Sequence, residues 1–172
     1  MIYFFIIIIT IIILIPTAYA SFFGAPWVPT RKREVDRFLK LAEIKPGDLV
    51  YDLGSGDGRL VIAAAEKCQA KAIGLEISPF PYFLSKLKIF LRKTKNCQIK
   101  YKNLFKENLS PADVVFIFLL PRPYARLKKK LEQELKPGAK VITECWPIQG
   151  WQFLKRDKPD DQSMTLYLYV KN

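Results

Sequence analysis

The run "LVYDLGSGDGRLVIAAAEKC", residues 49–68, leaves few folds open. It starts as a short, mostly apolar strand and ends as a ten-residue helix former. Between the two lies a loop with three glycines, framed by Asp52 and Asp57. A strand that enters a helix through so tight a loop is the opening of a βαβ unit, and such units build a parallel sheet covered by helices on both faces. The chain downstream keeps the alternation. Residues 71–76 (KAIGLE) form a second strand, 79–95 a second helix and 97–101 (CQIKY) a third strand. "DVVFIFLL" (113–120) is a fourth strand, apolar on both faces; a helix over 122–135 and a fifth strand at 139–144 follow. The connection between the third and fourth strands is too short for a full helix. "WQFLKRDK" and "MTLYLYV" alternate polar with apolar residues around a polar turn and close the sheet as an antiparallel pair. Upstream, Thr30 is positioned to cap a helix over 31–43 whose apolar face carries Val35, Phe38, Leu39 and Ala42.

Charge divides the chain at Arg31. The first 30 residues contain none of the 28 Lys and Arg or 16 Asp and Glu, so the remaining stretch of about 140 residues, ample for one core, holds the whole net charge of +12. That balance favours an anionic partner: lipid headgroups, nucleic acid or an acidic protein. There is no histidine, which removes the commonest general base and the commonest zinc ligand. Cys68, Cys97 and Cys145 are odd in number and widely spaced; they read as reduced, mostly buried thiols, and no metal site is expected.

The uncharged N-terminus has two readings. Ala18-Tyr19-Ala20 resembles a signal-peptide cleavage site, but no basic residue precedes the apolar run. The run from Ile2 to Phe23 is long enough to span about 30 Å as a helix, and Arg31, Lys32 and Arg33 flank its C-terminal side only. A retained transmembrane anchor over residues 1–23 is favoured over a cleaved signal. The flanking charge predicts a single-pass membrane protein with its N-terminus outside and its domain cytoplasmic.

In a sheet of this kind ligands sit beyond the C-terminal strand ends where strand order reverses. The loop lacks the GxxxxGK[ST] of a phosphate loop, and the third position of a dinucleotide GxGxxG is Arg59. Asp52 and Asp57 would repel a pyrophosphate. They suit a ligand with cationic groups. S-adenosylmethionine carries an ammonium and a sulfonium, and its carboxylate can use the loop's backbone N–H groups.

"YDLGSGDG" and "GLEIS" resemble the first and second motifs of the class I, seven-stranded S-adenosylmethionine-dependent methyltransferases. The resemblance runs from about Trp27 to Trp151. "PWVPT", "LFKENLSPADVVFIFLLP", "LKPGAKVI" and the following Pro and Gly-Trp narrow it further. Together they resemble the small membrane-anchored protein-lysine methyltransferases that act on the adenine nucleotide translocase and the ATP synthase c-subunit, with their prokaryotic relatives. The implied fold is a Rossmann-like seven-stranded sheet, mostly parallel with a C-terminal antiparallel pair, preceded by one transmembrane helix. Residues 24–30 would be a linker and cofactor lid, and 31–172 the methyltransferase domain.

By that resemblance Asp52, Gly54, Ser55, Gly56 and Asp57 hold the methionine end of the cofactor, and Glu76 the ribose. Asn103 stands where many members have an aspartate for the adenine amine; an amide oxygen can also accept that bond. Trp27 and Thr30 fold over the cofactor. Glu144 and Trp146, after the fifth strand, are the candidate catalytic pair, with Glu144 receiving the substrate ammonium. Tyr51, Tyr82 and Tyr124 are further aromatics that could line the site. "FLLP" lacks the polar residue of the Asp/Asn-Pro-Pro-aromatic signature seen in nucleobase amine methyltransferases.

The implied reaction is N-methylation of a lysine side chain of a membrane-associated protein, by in-line transfer to a neutral amine. The basic stretches at 85–95, 100–106 and 122–130 suggest contact with an anionic membrane surface. The alternatives are a nucleic-acid or small-molecule methyltransferase and a non-catalytic cofactor-binding membrane protein.

Overall fold

The computed structural model describes residues 1–8, 10–11 and 28–172. In chain order the domain comprises α1 (Lys32–Ala42), β1 (Leu49–Leu53), α2 (Arg59–Cys68), β2 (Lys71–Glu76), α3 (Pro79–Arg92) and β3 (Cys97–Tyr101). A 3-10 turn at Leu104–Lys106 leads to β4 (Val114–Ile117), α4 (Tyr124–Glu134), β5 (Lys140–Glu144), β6 (Lys155–Asp157) and β7 (Leu166–Val170). The strands form one seven-stranded sheet of order β3-β2-β1-β4-β5-β7-β6. The first five strands are parallel, and β7 runs antiparallel to both β5 and β6.

Alternation along the central strands feeds two separate core layers. Val50, Phe116 and Ile142 face α1 and α2, where they meet Phe38, Leu39, Val61 and Ala64. The Phe38 and Phe116 rings pack edge to face at 5.2 Å. Tyr51, Leu53, Val115, Ile117 and Val141 face the other way, toward Leu127 and Leu131 of α4. Burial on both faces explains why β4 reads as an unbroken apolar run: all four of its residues are buried.

The N-terminal helix is held to the far end of the sheet by charge. Glu34 of α1 is fully buried and pairs with Arg37, one turn on. Arg37 also donates to the Asp157 carboxylate of β6 at 2.8 and 2.6 Å and to the Met164 carbonyl at 2.9 Å. One guanidinium therefore joins α1, β6 and the segment entering β7.

Three expectations change. Thr30 is not the cap of α1: the N-cap is Arg31, without a side-chain hydrogen bond, and the Thr30 hydroxyl is used elsewhere. The fourth strand ends at Ile117, because residues 118–120 leave the sheet toward the glycine loop, where Leu119 packs. The transmembrane helix, and with it the single-pass placement with an outside N-terminus and a cytoplasmic domain, is overturned. No helix among the described residues is long and apolar enough to cross a membrane. Crossing needs about 20 apolar helical residues, and the described helical residues ahead of the domain are 2–8 and 10–11. The remainder of the expected anchor, the Ala18-Tyr19-Ala20 site and Trp27 lie outside the described residues.

Gly74 in β2 has no room for a side chain. An added Cβ would stand 2.5 Å from both Ser55 Oγ and Ile99 Cδ1. The strand and the glycine loop approach each other across this position. Gly74→Val should therefore lower stability by about 1–3 kcal/mol through overpacking, read as a fall in the urea midpoint. Gly138→Ala, with open space around its Cβ but a φ of 84°, should show only the smaller backbone strain.

Candidate functional site

Strand order reverses between β1 and β4, and the C-terminal ends of β1, β2, β4 and β5 share one edge of the sheet. Four carboxylates are buried along that edge or in its loops: Asp52, Asp57, Glu76 and Glu144, each less than a tenth exposed. What neutralises each of them differs.

The loop after β1 is drawn over the end of β2. The Gly54 and Ser55 N–H groups both donate to the Leu75 carbonyl, at 2.9 and 3.0 Å. Gly54 has a φ of 87°, and a Cβ there would meet Leu119 Cδ2 at 2.8 Å. Only glycine satisfies both the backbone and the contact. Gly58 is the N-cap of α2, also left-handed.

Glu76 ends β2 and accepts three backbone N–H groups: Gly56 at 2.8 Å, Ile77 at 2.8 Å and Ser78 at 2.7 Å. It braces the loop against the start of α3. Asp57 lies between two cations, the Arg59 guanidinium at 2.8 and 2.6 Å and the Lys88 ammonium of α3. Burial pushes the Asp57 carboxyl up, but these two partners outweigh it and hold the group below the usual carboxylate range. Arg59 also donates to the Thr30 carbonyl, tying the segment before α1 to the loop.

Asp52 has no such partner: no ion pair compensates it among the described residues. Burial, and then repulsion from Glu76, Asp57 and Glu144, push its carboxyl up to about 8. Glu144, at the end of β5, is pushed up to about 7 by burial, against the opposing effect of a 3.3 Å hydrogen bond from the Thr30 hydroxyl. Among the described residues, two acids at the sheet edge thus lack a countercharge. Beside them the Ser55 hydroxyl is buried without a hydrogen-bond partner. An environment that leaves one carboxyl mostly and another partly protonated, and a hydroxyl unpaired, suits a ligand carrying positive charge and hydrogen-bonding groups. S-adenosylmethionine fits that description, and Asp52, Ser55 and Glu76 are the residues that could hold it.

The structure brings most of the expected residues together. Asp52, Gly54, Ser55, Gly56, Asp57 and Glu76 surround one loop, and Thr30 meets Glu144 beside it. Trp146 follows Glu144 at the rim and is 44% exposed. Asn103 is different: its side-chain oxygen accepts the Phe105 N–H at 2.9 Å, capping the 3-10 turn, and one lone pair is left for another donor. Tyr51 is a core residue. Tyr82 packs against the Phe83 and Tyr101 rings, both at 5.3 Å.

Three residues that shape the site escaped the sequence reading. Gly74 had a legible signal, an isolated glycine inside a strand, which marks close approach of another backbone. Arg59 and Lys88 had none, since nothing in the chain pairs either of them with Asp57 in advance.

Comparison with known proteins identifies the family. Residues 52–155 match the family model described as the ANTKMT methyltransferase domain. A protein-lysine N-methyltransferase of Saccharolobus islandicus is 40% identical over 149 residues, covering 84% of this chain and 92% of that protein. The adenine nucleotide translocase lysine N-methyltransferase of Mus musculus is 36% identical over 74% of this chain, which spans only 56% of the mouse protein. Among solved structures, an RNA methyltransferase from Salinibacter ruber in complex with S-adenosyl-L-homocysteine superposes with a TM-score of 0.78 at 33% identity, covering 83% of this chain and 93% of that one. The chain therefore belongs to the ANTKMT methyltransferase domain family and is an S-adenosylmethionine-dependent methyltransferase.

Proposed function

We propose that this enzyme N-methylates a lysine side chain of a protein, with a membrane-associated protein as the substrate class and residues 31–172 as the catalytic unit. The observation that carries the reading is the 40% identity to a protein-lysine N-methyltransferase along nearly its whole length. The named activity of the mouse relative, on the adenine nucleotide translocase, supports the membrane-associated class.

The residues divide the work by chemistry. Asp52 takes the cationic methionine end, Gly54, Ser55, Gly56 and Asp57 form the loop around it, and Glu76 accepts from the ribose with lone pairs left over from its three backbone donors. Asn103 takes the adenine amine with its remaining lone pair, and Thr30 closes the opposite wall. The cofactor supplies an activated methyl group on a sulfonium, so no acid is required for its departure. The protein's task is to present a neutral amine. Lysine ordinarily holds its proton to a pKa of about 10.4. Glu144, with its pKa near neutrality, accepts the ammonium and draws off a proton in this reading. Trp146 at the rim excludes water from that approach.

A peripheral contact with an anionic membrane surface belongs to the same reading. Phe83, Leu87, Phe90 and Leu91 of α3 lie on one helix face and are all more than half exposed. Lys86, Lys93 and Lys95, also exposed, flank them. Apolar side chains edged by lysines match the chemistry of an anionic lipid interface.

Asp52→Ala should weaken S-adenosylmethionine binding at least about tenfold by titration calorimetry, since it removes the countercharge to the methionine end. Glu144→Gln should lower kcat by roughly 10²-fold while cofactor affinity stays near wild type; unchanged kcat would remove Glu144 from proton handling. Label from tritiated cofactor appearing in RNA rather than in protein would overturn the lysine reading.

The raised acids also set a pH dependence. Their folded pKa values lie above their ordinary ones, so the folded state binds more protons than the unfolded state between about pH 4 and 8. Stability of the cofactor-free protein should fall as pH rises through that window. Cofactor affinity should rise over the same window as Asp52 ionises, with net proton release at pH 7 when calorimetry is repeated in buffers of different ionisation enthalpy.

Phe83→Ser/Phe90→Ser should bind phosphatidylglycerol vesicles more weakly than wild type in a flotation assay and keep its activity on a free peptide. Equal binding by both proteins would remove α3 from the contact.

A further inference from the structure

A groove of about 490 Å³ opens between the first half of α4 and the loop after β5. Because α4 follows β4 and this loop follows β5, the groove extends from the sheet edge on the side of the strand reversal away from β2 and Glu76. Its near wall is Trp146, two residues from Glu144. Tyr124 lines it, and Lys128, Lys129, Glu132, Pro147 and Gln149 continue it outward, so the two lysines outnumber one acid.

The chain is held in an uncommon shape to form that near wall. Cys145 has a φ of 67°, a left-handed conformation that a residue with a side chain adopts at a cost of about 1–3 kcal/mol. The Trp146 N–H donates back to the Glu144 carbonyl at 2.9 Å, the Cys145 N–H donates to Thr165 at 2.8 Å, and the Thr143 hydroxyl donates to the Trp146 carbonyl at 2.8 Å. The tight turn buries Glu144 and leaves Trp146 facing solvent one step away. The Tyr124 ring lines the groove with its hydroxyl buried away from solvent, and burial and the neighbouring Cys145 push the phenol's pKa up.

The outer part of the groove is basic. Lys129 is exposed and has no carboxylate partner among the described residues. Lys128 is 3.8 Å from Glu132, a weak pairing, because Glu132 also accepts the Trp151 indole N–H at 2.8 Å.

From this arrangement we infer that the groove is the docking cleft for the polypeptide flanking the target lysine, and that it selects chains with an aspartate or glutamate near that lysine. The inference rests on the lysine reading above. A lysine presented at Glu144 carries its chain across Trp146 into the groove. Lys128 and Lys129 meet that chain's carboxylate. The occupant is a peptide rather than a lipid, because the groove begins at Trp146, two residues from Glu144, and its lysines line a cleft rather than edge an exposed apolar face.

The test uses the full chain, S-adenosylmethionine and three peptides that share one lysine and carry glutamate, glutamine or lysine in the flanks. Wild type should favour the glutamate peptide over the lysine peptide by roughly fivefold in kcat/KM. Lys128→Glu/Lys129→Glu should reverse the order through KM, with kcat and cofactor affinity retained. Lys128→Gln/Lys129→Gln should abolish the preference without reversing it. Lysine methylation indifferent to flanking charge, in wild type or in the reversal variant, would overturn this inference alone. Label that enters RNA or lipid and no lysine peptide would overturn the lysine reading and this inference together.

Discussion

Four carboxylates are buried along the C-terminal edge of one sheet, and much of the surrounding architecture exists to handle their charge. Each has a different solution. Asp57 is neutralised by Arg59 and Lys88. Glu76 is stabilised by three backbone N–H groups. Glu144 receives one hydroxyl and sits near neutrality, and Asp52 is held mostly protonated by burial and by its neighbours. The first two solutions are internal, and they stabilise the loop whether or not a ligand is present. The last two leave a deficit that a cation can fill. Acids with internal partners and acids without them thus stand side by side and are told apart by what already compensates them.

The same contacts connect the site to the rest of the fold. Arg59 reaches from α2 to the Thr30 carbonyl while the Thr30 hydroxyl reaches Glu144, so the segment before α1 bridges the glycine loop and the end of β5. A few residues later Arg37 fastens α1 to β6 and the approach to β7. The strands that carry Asp52 and Glu144 are separated by β4, yet the chain ahead of α1 couples their ends. A change at Thr30 would be felt at both walls of the crevice.

The glycines act through distance as well as flexibility. Gly54 accommodates Leu119, which is why the chain after β4 leaves the sheet where it does, and Gly74 accommodates Ser55. Two close approaches, one from each neighbouring strand, clamp the loop between β2 and the end of β4. The loop's own N–H groups complete the hold: those of Gly54 and Ser55 bond the Leu75 carbonyl and that of Gly56 bonds Glu76.

Much of this was written locally in the chain. Strands that alternate with helices and a glycine loop framed by acids follow from short-range patterns, because backbone periodicity and turn chemistry are set by neighbouring residues. Asp52 and Gly54 were legible for that reason, and Glu76 through the resemblance of "GLEIS" to a known motif. Side chains that act through partners distant in sequence were not. Thr30 had the composition of a helix cap, but its hydroxyl serves Glu144, 114 residues away. Asp57 looked like a ligand-facing acid, and only the packing of α3 against the loop delivers Lys88 to it. The apolar N-terminal run suggested a spanning helix from hydropathy alone, while helix length is a property of the folded backbone, and no described helix reaches the length required. Sequence determined which residues would lie at the edge of the sheet. The tertiary structure decided which of their charges were already met, since pairing and desolvation depend on distances across the fold that no local pattern encodes.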